Sequence, residues 1–130
     1  MNWKLVVGLS GFGLVMGVAT VFVIPSNIEP LFWLLIFGVC AVLIARLAPG
    51  KHFLHGLCVS LVNAVWITGI HVALFDSYIA THAQEAEMMK GMPIQGRLAM
   101  LLTGPIVGLI SGLVLGLFAF IASKFVKRAA

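Results

Sequence analysis

Asn63 and His71 are polar side chains set inside a long apolar stretch. With Ser60 and Ile67 they share one stripe of a helix, at offsets i, i+3, i+7 and i+11. An amide or imidazole held away from water is costly and marks a candidate functional position. The chemistry such a stripe offers is a proton path or a site for a small polar substrate. The plainer reading is that Asn63 hydrogen-bonds to a neighbouring helix, as polar groups do within membrane bundles. His71, little more than a turn from Asp76, then simply reaches water at the end of its stretch.

A second group, His82, Glu85, Met88, Met89 and Met92, offers metal chemistry. His82-x-x-Glu85 places an imidazole and a carboxylate on one helix face, a pair that suits zinc and other divalent ions. Met89-x-x-Met92 brings together two thioethers, which select Cu(I). The group lacks the repeated ligand spacing of a zinc motif. The alternative is an interfacial helix whose methionines cover the mouth of a bundle. His52 and His55, beside Lys51, read as interfacial polar groups, and Cys40 and Cys58 as small buried side chains rather than a disulfide. The sequence contains no recognisable pairing of nucleophile and base, no phosphate loop and no carboxylate deep in an apolar stretch. The expectation is a non-enzymatic protein that needs no cofactor.

Composition determines which elements carry these residues. Of 130 residues, 62% are hydrophobic and 9% charged, and the mean hydropathy is +1.15. Soluble domains are about half apolar and about a quarter charged, so a soluble enzyme, a disordered regulator and a disulfide-stapled secreted module are excluded. Residues 5–24, 31–48, 53–75 and 98–123 are each apolar enough to cross a bilayer, which takes about 20 residues. Arg46 interrupts the second stretch near its end, where it can snorkel. Pro25 through Pro30 and Pro49-Gly50 punctuate the stretches, and Ser26-x-x-Glu29 offers a capping box for the second helix. The expected fold is all-α: one domain, residues 1–130, built as an integral membrane bundle of four transmembrane helices. The segment 76–97 is rich in helix formers up to Gly91 and Pro93. It predicts a third helix that projects beyond the outer face.

Charge supplies the orientation. With the N-terminus in the cytoplasm, Lys4, Arg46, Lys51, Lys124, Lys127 and Arg128 lie inside and only Lys90 and Arg97 outside. This positive-inside bias places both termini in the cytoplasm. The basic residues sit at the ends of apolar runs, so they read as topology signals and exclude a nucleic-acid partner. The first stretch has some signal-peptide character in Lys4 and Gly17-Val18-Ala19. Its apolar run continues to Ile24, however, and predicts a retained helix. Asn2 stands where myristoylation needs glycine.

Gly104, Gly108, Gly112 and Gly116 recur every four residues and leave one groove along the last helix, with Pro105 as a site for a kink. Gly13 and Gly17 repeat the spacing in the first stretch, and Gly56, Ser60 and Ala64 in the third. Small faces of this kind let membrane helices approach closely. They serve either packing inside one bundle, which three such helices favour, or the seam of a homo-oligomer, with a pore as one form of it.

The stretch running from Lys51-His52-Phe53 through Asp76-Ser77-Tyr78-Ile79 to Gly104-Pro105 and Lys127-Arg128 resembles a family of uncharacterised small four-helix membrane proteins of bacteria. The resemblance implies a bacterial inner membrane and four helices, and no functional residues. The leading expectation is an accessory or self-associating scaffold protein, with the lipid bilayer as its first partner and a second copy or another membrane protein as the next. The alternatives are a small oligomeric channel or transporter and a periplasm-facing metal binder.

Overall fold

The computed structural model describes residues 1–25 and 27–128, and all regular structure among them is helical. Helices α1 (Trp3–Leu9) and α2 (Gly11–Phe22) together form the first membrane-length segment. They meet at Ser10, whose hydroxyl donates to the Val7 carbonyl at 2.6 Å. Helix α3 spans Glu29–Leu47, α4 His52–Ala73 and α7 Gly96–Phe125. Each is long and apolar enough to cross a membrane, which gives four such segments among the described residues. Two short helices, α5 (Phe75–Thr81) and α6 (Ala83–Lys90), connect α4 to α7.

The boundaries have local causes. Pro30 occupies the first turn of α3, where a missing N–H costs nothing. Glu29 precedes it at the positive end of the helix dipole. The other half of the expected capping box, Ser26, lies outside the described residues. Between α3 and α4 the chain turns through Gly50 at φ 156° and Lys51 at φ 51°, ψ 44°. The left-handed conformation suits glycine and strains lysine.

Helix α4 is the centre of the bundle. It has α7 along one side and α2 along another, while α3 packs mainly on α7. The core between them includes Val6, Cys40, Ile44, Val59, Leu115 and Ala119. The groove of α7 faces α4. A Cβ at Gly108 would lie 2.5 Å from that of Ala64, and one at Gly112 2.7 Å from Leu57 Cδ1. At Gly116 it would meet the Phe53 carbonyl oxygen at 2.7 Å, and at Gly104 the Thr68 side chain. Gly56 meets the Gly116 backbone from the other side. In the gap so formed, Ser60 Oγ donates to the Gly108 carbonyl at 3.0 Å. Gly13 and Gly17 bring α2 equally close to α4, against Asn63 and Ile70.

Two expectations change. Helix α4 does not continue past Ala73 as one rod; the chain breaks at Leu74 and again at His82, whose backbone is non-helical at φ −126°, ψ 71°. Tertiary contacts override the helix propensity of this segment. Thr81 Oγ1 donates to the Val21 carbonyl at 2.8 Å and so ties α5 to the end of α2, while Phe75 packs against Gly96 at the start of α7. The second change concerns His55, which is fully buried rather than interfacial. Of the cysteines, Cys40 is buried, Cys58 is half-buried, and both are free thiols.

Candidate functional site

A cavity of about 480 Å³ opens between α3, α4 and α7 beneath α6. Helix α3 contributes Glu29, Trp33 and Phe37; α4 contributes Ser60 and Asn63; α6 contributes Glu85; α7 contributes Ser111 and Phe118. The aromatic wall is built edge to face, with ring centroids 6.1 Å apart for Trp33–Phe37 and 6.4 Å for Phe37–Phe118. Asn63 lies eleven residues from the first residue of α4 and ten from the last, at the middle of that span. Gly13 of α2 lies against its Cα, Cβ and Oδ1. Only 3% of Asn63 is exposed, and neither Nδ2 nor Oδ1 finds a hydrogen-bond partner among the described residues. That is costly for a buried amide, and among the described residues of the membrane-length helices Asn63 has both polar atoms buried without a partner.

The α6 end of the cavity is acidic. Glu29 accepts a hydrogen bond from Trp33 Nε1 at 3.1 Å. Glu85 has a buried Oε2 with no partner. The other two acidic side chains pair with the cations of this end, Glu87 with Lys90 at 2.7 Å and Asp76 with Arg97 at 3.6 Å. Among the described residues, Glu29 and Glu85 form no ion pair. Tyr78 registers both of them: burial, and then the charges of Glu85 and Glu29, push its hydroxyl up to about 12.

His71 belongs to a different cluster. Its Nε2 lies 2.8 Å from Thr20 Oγ1, which also lies 2.7 Å from the Met16 carbonyl oxygen. The pair clamps α2 to α4. Beyond it the rings stack, with centroids 4.4 Å apart for His71–Tyr78 and 4.0 Å for Tyr78–His82. The stripe of Ser60, Asn63, Ile67 and His71 is therefore divided. Asn63 and Ile67 line the cavity together with Ser60, whereas His71 faces α2 and lines no part of it.

The residues singled out for metal chemistry also separate. His82 is buried at the α5–α6 junction, with Nδ1–H 2.9 Å from both the Tyr78 carbonyl and Thr81 Oγ1 and Nε2 unpartnered. Glu85 turns to the cavity, Met88 and Met92 are exposed, and Met89 packs towards Gly96. Among the described residues, no three His, Cys, Asp or Glu side chains gather where they could hold a metal ion.

Comparison with protein-family models, with curated proteins and with solved structures gives no match. The reading of the site therefore rests on this chain's own geometry. Sequence reasoning found Asn63 and Glu85 but assigned them to separate groups; it read Glu29 as half of a capping box and passed over Trp33. The only sequence signal joining Glu29 to Trp33 is their i, i+4 spacing on a helix.

Proposed function

We propose that this chain is a non-enzymatic multi-pass protein of the bacterial inner membrane, with both termini cytoplasmic, that serves as an accessory subunit of a membrane assembly. The observation that carries this reading is the internal use of the small-residue faces. All four ladder glycines of α7, and Gly13 and Gly17 of α2, are engaged by α4 of the same chain. Their engagement by α4 leaves these small faces occupied within one copy. Helix α3 retains an outward apolar face that includes Leu31, Leu34, Leu35, Val39 and Val42, and α7 exposes a longer one. The basic bias of one side supports the orientation. Native mass spectrometry of the chain, gently extracted from its own membrane, tests the reading. One copy bound to a different membrane protein is expected; a defined homo-oligomer contradicts it.

The cavity favours a second reading, a small transporter. Its interior reaches mid-span at Asn63 and its acidic end lies under α6. In this reading the path runs within one chain rather than along a ladder-built seam. Cysteine at position 63 that reacts with polar thiol reagents from either side supports it, and an unreactive cysteine removes it. For the periplasmic metal binder, the divergent directions of His82, Glu85, Met88 and Met89 give little support.

A further inference from the structure

We infer that the cavity between α3, α4 and α7 binds an amphipathic amine, its ammonium held by Glu29 and Glu85 and its apolar body lying against Phe37 and Phe118. This inference stands on the cavity itself and holds whether the chain is an accessory subunit or a transporter. Three independent features converge on the ligand class. The first is charge. Glu29 and Glu85 line one end of the cavity without a cationic partner among the described residues, while the cations of that end, Lys90 and Arg97, are engaged by Glu87 and Asp76. Two anionic groups beside a low-dielectric interior favour a cation, and the Trp33 ring, tied to Glu29 through Nε1, adds an aromatic face of the kind that holds ammonium groups.

The second feature is shape. About 480 Å³ falls within the range of small-molecule sites, roughly 300–1,000 Å³, and the wall beyond the carboxylates is aromatic and aliphatic. A simple inorganic cation would leave that wall unused. The third is Asn63. Asn63 lines the same cavity, is 97% removed from solvent and has no partner at either polar atom; with Oδ1 against Gly13 of α2, its Nδ2 is the donor in want of a complement. An amine whose body carries a hydroxyl or amide group supplies one. Glu85 Oε2, buried and unpartnered, is in the same position towards the ammonium. The shared chemistry is a cationic nitrogen on an apolar tail, either as a free amine or as the amine of a lipid headgroup.

The test uses the full chain in phosphatidylcholine nanodiscs and an octylamine carrying a diazirine on its tail, with the N-acetylated, uncharged form of the same probe as control. Saturable photolabelling of the peptide containing Trp33 and Phe37 by the amine, but not by its acetylated form, is expected. The Glu29→Gln, Glu85→Gln double variant is expected to weaken the half-saturation concentration by about tenfold or more, the scale of a lost charge-assisted contact. Glu87→Gln, which touches only Lys90, should stay within about twofold of the wild type. Equal labelling by the two probes in the wild-type chain overturns the inference, and that comparison needs no variant to fold. An unshifted half-saturation in the double variant overturns it as well. Adding phosphatidylethanolamine to the nanodiscs separates the sources. Competition assigns the site to a lipid headgroup amine, and undiminished labelling assigns it to a free amine.

Discussion

Both ring nitrogens of His55 are committed. Nδ1–H donates to the Lys51 carbonyl at 2.9 Å, and Nε2 accepts the Asn2 amide at 3.0 Å, which fastens the start of α1 to the start of α4. Asn2 in turn caps α1 by accepting the Leu5 amide. Replacing His55 with Leu leaves the Asn2 N–H without a partner beside a buried ring site and should cost about 1–3 kcal/mol. The expected readout is a lower thermal midpoint with faster amide exchange confined first to α1; unchanged exchange there would show that the bond carries nothing. Tyr78 makes a second prediction at this scale, and a clean one, because it is the only tyrosine in the chain. Its hydroxyl is pushed from 10.0 to about 12, chiefly by burial. A raised folded value means that the stabilisation is complete below pH 10 and is lost as pH rises towards about 12. Tyrosinate absorbance should therefore appear only near pH 12 and coincide with loss of stability. A titration centred at 10 would place the hydroxyl in water.

Among the elements, α4 and α7 depend on each other through glycine. Gly112→Ala forces a Cβ to within 2.7 Å of Leu57 and should destabilise by about 1–3 kcal/mol, with Leu at 108 or 112 worse. Gly69 on α4 meets nothing within 4 Å, so Gly69→Ala should instead gain up to about 1 kcal/mol from helix propensity. Opposite signs for two glycine-to-alanine changes, read from unfolding midpoints in detergent, would separate seam from lipid-facing positions; equal effects would contradict the packing. The turn before α4 adds a further case. Lys51 sits in the left-handed region, and Lys51→Gly should stabilise by about 1 kcal/mol. The ladder was legible in the sequence because its period of four is a property of one helix. The breaks at Leu74 and His82 were not, because contacts with α2 and α7 decide them, through Thr81 on Val21 and Phe75 on Gly96. His55 was misread for a similar reason. Nothing local announces that Asn2 will meet it.

At the scale of the molecule, the four membrane-length helices were readable from hydropathy alone, since length and apolar content are what a bilayer demands. The cavity was not. Its rim joins Glu29 of α3 to Glu85 of α6, and its floor is an asparagine of α4 backed by Gly13 of α2. No periodicity in a single chain encodes which helix lies beside which. That arrangement, with α4 at the centre and the small faces spent inside one copy, underlies both the accessory reading and the ligand site. The most direct measurement is oxidative cross-linking of Leu57→Cys with Gly112→Cys in a Cys40→Ala, Cys58→Ala background, performed in the membrane. A Cβ at position 112 lies 3.3 Å from the Cα of residue 57. The arrangement predicts a cross-link within one chain, seen as a faster-migrating monomer. Cross-linked dimers in its place would make the seam intermolecular and contradict the self-contained bundle.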